Sequence, residues 1–348
     1  MMGDHGACES PRGVGIPSML QPAILLSHWG YTSDNRHLAK ADWPYYEMGP
    51  CYRPHHDILI PPPQQHSLGH SPFFNQHLRN QVNLPGDPPS TNRSATFSFA
   101  GRDSWGASKY SNNVRSKIFA LYKDTPGTFI RARDSLSRMA ESVFCLAPSG
   151  LAFGDRLYLA VAYGCIPVII QDNVTQAWED DLPMQEFAIR VPEAKIPNLM
   201  EILESVTPEQ RSAKLAALRC IWPRFMWSSV YGASGAESGH DDAFDTLMLA
   251  LRNRRDFPNM APPSSGRTAA KSAEQSLREL CASANSTQPQ TPIQRKPLCA
   301  AYNPMIQTRG SWRRPECLEQ NGSNRNCCTH GKDQPAWQPF PPGGAIHT

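Results

Sequence analysis

The sequence predicts an α/β fold built on a parallel sheet, and residues 142–170 carry most of that prediction. This stretch opens with an apolar run, residues 143–146, that is rich in strand-forming side chains and too short for a helix. A second run, Ile166–Ile170, is apolar on both faces, as expected of a parallel strand covered on both sides. Between the two runs, apolar residues recur at helical spacing as far as Gly164, a typical helix terminator. Two buried strands joined by a helix make a right-handed βαβ unit.

The turn after the first strand of this unit carries the groups that could bind a ligand. Ligands of parallel sheets bind beyond the carboxyl ends of the strands, so this turn and the one after the second strand are expected to line a crevice. Ser149 offers a hydroxyl there, and Gly150 lets a ligand approach the backbone. Arg156 lies in the first turn of the following helix, where a positive charge is unfavourable unless an anion is near. A phosphate ligand and a surface ion pair with Asp155 explain this arginine equally well.

Upstream, two short apolar runs each stand beside a polar group. Residues 24–26 are expected to form a strand ending at a turn with His28, which could act as an acid or base but is more often structural. Asp57 precedes the second run and follows His55 and His56. Histidines beside an aspartate suggest a metal, but adjacent residues of a strand point to opposite faces. Asp57 is therefore expected to be structural.

The predicted sheet begins between these runs and the central unit. Residues 96–100 are expected to form its first strand, with Gly101 and Arg102 in the turn beyond it. Arg102 then lies at the same edge as Ser149, and a basic loop exposed to solvent is the alternative. A short helix at 136–141 leads into the central unit. An amphipathic helix lies between, and its expected apolar face is Val114, Ile118, Leu121 and Tyr122.

Downstream, residues 187–191 alternate apolar and polar side chains, which predicts a strand ending just before Glu193. A carboxylate at that place suits the hydroxyls of a ribose, because it accepts two hydrogen bonds. Capping of the helix expected at 199–203 is the alternative role for Glu193. Most of the acidic run 179–181 is interpreted as solvated surface.

Two longer helices complete the predicted globular part. Thr207 and Gln210 form a capping box that starts the first one, which is expected to reach about Arg219. The second is expected at 241–254, with Phe244, Leu247, Met248 and Leu251 on its apolar face. An aromatic cluster between them is expected to anchor the last helix rather than to stack on a sugar or base. Its members are Trp222, Phe225 and Trp227.

Composition limits the classes of partner and compartment. The chain has 348 residues and a net charge of +3 with scattered basic residues, so nucleic acid is not expected as a partner. No apolar stretch approaches ~18 residues, and the first residues lack the apolar core of a signal peptide. Cys145 and Cys165 are expected to be core thiols, unless their Cα atoms come within ~7 Å and a disulfide forms. Four N-x-S/T sequons, which matter only in the secretory pathway, occur at Asn92, Asn173, Asn285 and Asn321.

Three motifs carry a family resemblance. In chain order they are CYRPHHDILIPP at 51–62, FSFAGR at 97–102, and FCLAPSG with a following arginine and GCIPVII between 144 and 170. Together they resemble the signature of the exostosin-like glycosyltransferases, glycosyltransferase family 47. The resemblance implies a GT-B fold, represented here by its C-terminal, Rossmann-like domain. It also implies a nucleotide-sugar donor, usually UDP-linked, and inversion at the anomeric carbon without an essential metal or other cofactor.

The resemblance also divides the chain and suggests a compartment. Relatives carry an N-terminal membrane anchor facing the Golgi lumen, so the anchor and most of the first domain are expected to be missing here, and the membrane is a partner only through that anchor. The expected parts are a ragged N-terminus at 1–22, a remnant of the first, acceptor-side domain with a domain-joining strand at 23–63, a Pro-rich linker at 64–93, a nucleotide-sugar-binding domain at 94–258 and a disordered tail at 259–348.

The resemblance assigns roles to the candidate residues. An inverting enzyme needs a base for the acceptor hydroxyl, usually from the first domain, for which His28 and Asp57 are weak candidates. The group that holds the diphosphate also offsets charge on the leaving UDP. The expected donor-binding residues are Ser149, Gly150, Arg156 and Arg102 for the diphosphate and Glu193 for the ribose.

Three functions follow from these patterns. The leading one is an inverting glycosyltransferase that moves a sugar to a glycan or glycoprotein acceptor. The alternative is a catalytically inactive exostosin-like fragment that keeps the fold and nucleotide binding. A nicotinamide-dependent oxidoreductase is disfavoured because no G-x-G-x-x-G follows a predicted strand.

Overall fold

The structure is a computed structural model, and it describes part of the chain. The predicted N-terminal segment up to 15, the predicted linker at 64–93 apart from its last residue, and most of the predicted tail at 259–348 lie outside the described residues. Two compact units are present, one up to Ile293 and one from Gln294 onward. The described residues are 16, 18–32, 51–62, 93–103, 110–131, 136–150, 154–231, 240–256, 258, 281, 306–308 and 311–313.

Strands and helices alternate in the central part of the first unit, between residues 95 and 170. Its strands are β1 (Leu26–Ser27), β2 (Gly30–Tyr31), β3 (Ile58–Leu59), β4 (Ala95–Ala100), β5 (Thr128–Arg131), β6 (Ser142–Pro148), β7 (Ile166–Ile170), β8 (Val174–Thr175) and β9 (Ile189–Arg190). Its α-helices are α1 (Val114–Tyr122), α2 (Leu136–Ala140), α3 (Arg156–Ala162), α4 (Leu199–Glu204), α5 (Pro208–Ile221), α6 (Ser228–Tyr231) and α7 (Ala243–Asp256). In the second unit, β10 (Ile306–Thr308) and β11 (Ser311–Arg313) form an antiparallel ladder that the sequence did not predict.

A five-stranded sheet in the order β5-β4-β6-β7-β9 forms the centre of the first unit. Every neighbouring pair in it is parallel. All five residues of β7 are buried, which agrees with helices covering both faces. Phe97 of β4 and Phe144 of β6 have no exposed surface and lie side by side in the register. The predicted α/β fold with a Rossmann-like parallel sheet is confirmed.

Local sequence signals fix two helix ends as predicted. Gly164 follows α3 with a φ of 61°, a left-handed conformation that glycine adopts without steric cost. The N–H of Gly164 then donates to the carbonyl of Val161, and that of Cys165 to the carbonyl of Ala160, which is the Schellman pattern. At the start of α5, Thr207 and Gln210 form both hydrogen bonds of the capping box.

The buried face of α7 differs from the prediction. Phe244 and Met248 are 44% and 51% exposed, whereas Ala243 and Ala250 are buried. Small side chains let the helix approach β3 and the 3₁₀ turn at 222–225 closely, so Phe244 and Met248 are left outside, while the predicted Leu247 and Leu251 pack partly buried against the core.

The apolar face predicted for α1 is wrong at one position. Val114, Ile118 and Tyr122 are buried, but Leu121 is 49% exposed, and Arg115 is buried instead. An arginine fits there because backbone carbonyls accept its hydrogen bonds, as described below for the site.

The segment before residue 63 packs onto the sheet domain. β1 pairs with β3 in parallel, and β2 pairs with β8 in antiparallel register, with Gly30 opposite Thr175. The indole N–H of Trp227 donates to the carbonyl of Pro61 at 3.0 Å, and Phe225 packs against two aromatic rings of the core. These contacts join the aromatic cluster to the N-terminal segment and the core, and its predicted anchoring of the last helix agrees with the contact between α7 and the 3₁₀ turn at 222–225.

The expectation of core thiols is wrong. Cys145 and Cys165 form a disulfide with a Cα–Cα distance of 5.8 Å, within the limit that the sequence left open. Parallel pairing of β6 and β7 brings Cys145 close to Cys165, the residue just before β7. The sequence alone does not determine which strands pair. A second disulfide joins Cys220 of α5 to Cys281, in the region predicted as a disordered tail.

The acidic run at 179–181 is not solvated surface. Asp181 forms an ion pair with Arg254 at 2.8 Å, and both side chains are at most 6% exposed. Asp180 accepts a hydrogen bond of 2.5 Å from the phenol of Tyr52. Burial, followed by the nearby carboxylate, holds the pKa of Tyr52 far above its ordinary value. The run therefore joins the first segment to the sheet domain.

Candidate functional site

The order of the strands reverses between β4 and β6, which defines a crevice at the carboxyl edge of the sheet. The chain moves outward from β4 to β5 and then returns past β4 to β6, β7 and β9. The loops after β4 and β6 diverge at such a switch point and leave room for a ligand. Arg102 follows β4, and Ser149 and Gly150 follow β6. The topology brings these three predicted residues to one edge.

A carboxylate joins three of the strand ends. Oε1 of Glu193, beyond β9, accepts a hydrogen bond of 3.2 Å from the hydroxyl of Ser149. The same oxygen accepts another, also of 3.2 Å, from the backbone N–H of Asp172 beyond β7. In return, the N–H of Glu193 donates to Oδ1 of Asp172 at 3.2 Å. The residue predicted for the ribose and the serine predicted for the diphosphate are thus direct neighbours.

The alternative role of Glu193 as a helix cap is not found. The 3₁₀ helix Glu193–Asn198 has Pro192 at its N-cap, and α4 has Asn198 at its N-cap. Neither cap is formed by a side-chain hydrogen bond. The carboxylate of Glu193 is engaged at the crevice.

Arg115, on α1, is a site residue that the sequence analysis missed. Its Nε donates to the carbonyl of Ser149 at 2.7 Å, and its Nη1 lies 3.5 Å from the carbonyl of Arg102. The guanidinium also lies over the ring of Phe99, 5.4 Å from its centroid. Arg115 therefore fixes the loops after β4 and β6 relative to each other. The available signal was its place beside Val114 on the inner face of an amphipathic helix, where arginine is rare unless hydrogen-bonded.

A second arginine holds the loop after β7. Arg190 donates to the carbonyls of Gln171 and Val174, at 2.9 and 3.0 Å, and pairs with Glu179 at 2.6 Å. The side-chain amide of Gln171 donates in turn to the carbonyl of Ala147 at the end of β6, at 3.1 Å. The loop that carries Asp172 is thereby held in place before any ligand arrives.

Arg156 is the first residue of α3, and the structure supports part of each explanation for it. Its Nη1 lies 3.3 Å from Oδ1 of Asp155, so the ion pair is present. Its Nε is buried and has no hydrogen-bond partner among the described residues. A buried N–H without an acceptor costs free energy that an incoming anion would recover. Since α3 has only seven residues, its dipole adds little.

Asp57 has the contacts of a structural carboxylate. Its two oxygens accept hydrogen bonds from the backbone N–H groups of Leu25 and Arg53, at 3.0 and 2.9 Å, and from the guanidinium of Arg53. Burial raises the pKa of Asp57, but these hydrogen bonds lower it more, and the net pKa is below its ordinary value. Such a group is a weak base.

His28 is held by one ring nitrogen. Its Nδ1 lies 2.8 Å from the carbonyl oxygen of Ile60, next to the β1–β3 ladder. A carbonyl only accepts, so Nδ1 carries the proton and the neutral ring has its lone pair on Nε2.

Two features are absent from the described residues. No group of three or more His, Cys, Asp or Glu side chains is arranged to hold a metal ion. No helix in the described parts of the chain has the length and apolar character needed to span a membrane.

Comparison with known families is decisive for the class of this domain. Residues 41–206 match the family model described as Exostosin GT47 domain. The matched range contains the sheet from β4 to β9 and the crevice residues from Arg102 to Glu193. Residues 41–206 of this chain are therefore identified as an exostosin GT47 domain.

Two relatives that the chain matches come from plants. The chain is 35% identical over 177 residues to the probable glucuronosyltransferase GUT1 of Oryza sativa subsp. japonica, covering 48% of this chain and 41% of the relative. It is 33% identical over 224 residues to the probable beta-1,4-xylosyltransferase IRX10L of Arabidopsis thaliana, covering 59% and 46%. The chain spans less than half the length of these relatives.

Proposed function

We propose that this chain binds a UDP-linked sugar in the crevice and takes part in its transfer, with inversion, to a glycan or glycoprotein acceptor. The observation that carries the proposal is the link between Ser149 and Glu193 at the switch point of a sheet that matches the exostosin GT47 domain. One hydroxyl, one carboxylate and nearby arginines are the groups that a nucleoside diphosphate needs.

The diphosphate is proposed to lie beside the turn after β6. There Gly150 lets the phosphates approach the backbone, and Arg156 supplies the unpaired Nε as a donor. Arg102 is placed at the same edge by the turn after β4. These charges stabilise the negative charge that develops on UDP as the bond to the sugar breaks.

The ribose is proposed to bind at Glu193. The hydrogen bonds from Ser149 and Asp172 orient its carboxylate, and a carboxylate can accept several hydrogen bonds, including those of ribose hydroxyls. Because Arg115 and Arg190 hold the surrounding loops, the site is preorganised, which lowers the entropic cost of binding.

Asp57 is the weaker of the two candidate bases, because its oxygens already accept hydrogen bonds from Leu25 and Arg53, and His28 is therefore preferred. In the proposed step the base takes the proton of an acceptor hydroxyl, and the oxygen attacks the anomeric carbon. The bond between that carbon and the diphosphate oxygen breaks, and UDP leaves with the electron pair. The proposal includes no essential metal.

The names of the relatives suggest which donors to test first. Relatives are named glucuronosyltransferase and xylosyltransferase, so UDP-glucuronate and UDP-xylose are the first candidates. The proposed compartment is the Golgi lumen. The buried disulfide between Cys145 and Cys165 supports it, because such bonds persist in oxidising compartments.

The test is a calorimetric titration of the full chain with UDP, 2′-deoxy-UDP and ADP, followed by transfer assays. UDP is expected to bind more tightly than 2′-deoxy-UDP, and Glu193→Ala is expected to remove that difference by removing the ribose contact. Arg138→Ala is the control, since Arg138 lies on α2 before β6 and pairs with Glu141.

The outcomes separate the candidate functions. Transfer from UDP-glucuronate or UDP-xylose to a xylo-oligosaccharide supports the enzyme. UDP binding without transfer from any UDP-sugar favours the catalytically inactive alternative. A folded chain that binds no UDP overturns the proposal.

A further inference from the structure

One N-x-S/T sequon lies among the described residues, at Asn173, Val174 and Thr175. It occupies the turn after β7 and the short strand β8. Attachment of an oligosaccharide to such a sequon requires an accessible asparagine amide and a hydroxyl-bearing residue two positions later. Both requirements can be examined in the structure.

The amide of Asn173 meets the first requirement. The residue is exposed and has a φ of 58°, in the left-handed region where asparagine is enriched. Its backbone carbonyl accepts hydrogen bonds from the N–H and the hydroxyl of Thr32, both at 3.0 Å. Its side-chain amide forms no hydrogen bond with the other described residues. The backbone is therefore fixed, while the reactive group is unengaged.

The hydroxyl residue meets the second requirement. Thr175 lies in β8 and pairs through its backbone with Gly30, and it remains partly exposed. In the described part of the chain β8 pairs with β2, which lies in the N-terminal segment, so β2 does not cover Thr175 until that pairing forms.

Disulfides give independent evidence for the compartment. Cys145 and Cys165 are bonded and have no exposed surface, and Cys220 is bonded to Cys281. Disulfides in a protein of this class form in the oxidising lumen of the secretory pathway, which is also where sequons are glycosylated.

We propose that Asn173 carries an N-linked oligosaccharide. The co-reactant is a lipid-linked oligosaccharide pyrophosphate. A bond forms between Nδ2 of Asn173 and the anomeric carbon of the sugar, the bond from that carbon to the pyrophosphate oxygen breaks, and Nδ2 loses one proton. The lipid pyrophosphate leaves with the electron pair.

The site stands at the rim of the crevice. Asp172, the preceding residue, shares two hydrogen bonds with Glu193. A glycan on Asn173 therefore borders the crevice at the loop after β7. Attachment does not depend on UDP, so failure of this inference and failure of the proposed function are distinguishable.

The test is production of the full chain behind a cleavable secretion leader in plant cells, followed by peptide mapping. Trypsin releases residues 157–190 as one peptide with a single sequon. Release of the glycan by N-glycosidase in heavy-oxygen water marks an occupied Asn173 as labelled aspartate. We expect this label in chains whose Cys145–Cys165 disulfide is confirmed by mapping without reduction.

Variants of the sequon give the controls. Asn173→Gln and Thr175→Ala are expected to lose one glycan on gels, whereas Thr175→Ser keeps it because the hydroxyl remains. Disulfide-bonded wild-type chain in which the 157–190 peptide is entirely unlabelled overturns the proposal. UDP titration of the same preparations reports separately on the crevice.

Discussion

Two charged side chains differ in how completely the protein satisfies their hydrogen-bonding groups. Asp57 is buried and accepts hydrogen bonds from Leu25 and from the backbone and guanidinium of Arg53. Within the described part of the chain, Arg156 pairs with the neighbouring Asp155 and keeps a buried Nε without an acceptor. The hydrogen bonds of Asp57 are therefore complete without a ligand, whereas those of Arg156 are not. We expect the first to matter for stability and the second for binding.

Replacing Arg156 by alanine is expected to weaken UDP binding by about ten- to a hundredfold. Charge-assisted hydrogen bonds of this kind contribute roughly 1.5–3 kcal/mol. Lysine should restore binding only in part, because it keeps the charge but loses the planar fork. Calorimetry with UDP measures the effect, and Arg138→Ala is the matched control.

The melting temperature separates binding from structure in that experiment. Charges near helix ends contribute only ~0.3–1 kcal/mol to stability, so Arg156→Ala should melt close to the parent. A variant that binds UDP as the parent does, or that melts far lower, would make Arg156 a structural residue.

Asp57 is expected to make the protein sensitive to acid. Its folded pKa is below its unfolded pKa, so the stabilisation is fully present above about pH 4 and is lost as the pH falls through the folded pKa. Asp57→Asn should be less stable at pH 7 and should lose less stability between about pH 5 and pH 3. Denaturant unfolding at several pH values measures this. Asp124→Asn, at an exposed carboxylate, is the control. If Asp57→Asn and the parent lose the same free energy of unfolding as the pH falls, Asp57 does not have this stabilising role.

At the level of elements, the ladder between β2 and β8 has little tolerance for added volume. A Cβ on Gly30 would collide with Cδ1 of Leu59 and with the backbone carbonyl of Thr175. The carbonyl belongs to the pairing strand and cannot move without breaking the ladder. Gly30 is thus required by close approach of three strands, not by its backbone angles.

Gly30→Ala is expected to destabilise the fold by about 1–3 kcal/mol, the usual cost of overpacking. Thermal and urea unfolding measure the loss. Gly154→Ala is the control, because a Cβ there has nothing within 4 Å. Equal stability of the two variants would show that β2 and β8 separate at no cost.

The elements that sequence predicted are those fixed by neighbours in the chain. β7, the Schellman turn at Gly164 and the capping box at Thr207 depend on residues within one turn of one another. The buried face of α7 and the Cys145–Cys165 bond depend on which elements come together, and a single sequence does not encode that in its local pattern.

The crevice was predicted in part for the same reason. Ser149 and Gly150 could be found because the rule for parallel sheets points to the turn after a strand. Arg115 could not, because its acceptors, the carbonyls of Ser149 and Arg102, are backbone atoms 34 and 13 positions away. The roles of Arg156 and Glu193 stay predictions.

In the first unit, one buried ion pair joins segments that are far apart in the sequence. Arg254, near the end of α7, pairs with Asp181 and also lies 3.4 Å from the carbonyl of Asp57. The side chains of the pair are 4% and 6% exposed. The last helix, the acidic run and the first segment meet at this pair.

Arg254→Met is expected to cost about 3–5 kcal/mol, because it leaves Asp181 buried and unpaired. Burial raises the pKa of Asp181, and Arg254 opposes that rise, so the variant raises it further. The folded form then binds more protons than the unfolded form, and the stability of the variant should increase as the pH falls. Urea unfolding at pH 7 and about pH 5 measures both effects.

The double variant Arg254→Met with Asp181→Leu should recover most of that loss, since an apolar pair can replace a buried ion pair. Arg255→Met is the control, because Arg255 is 74% exposed. If Arg254→Met unfolds like Arg255→Met, the pair does not hold the unit together.

The pairing of β2 with β8 also has a consequence for the time course of synthesis. Thr32 and Asn173, which meet beside this ladder, are 141 positions apart. At ~5–20 residues per second a ribosome needs roughly 7–30 s to make the second after the first. During that interval the N-terminal segment has emerged without its partner, and its apolar residues, such as Leu25 and Ile58, stay open to chaperones and to other nascent chains. The rate of translation therefore affects the folding yield through a ladder of two residues per strand.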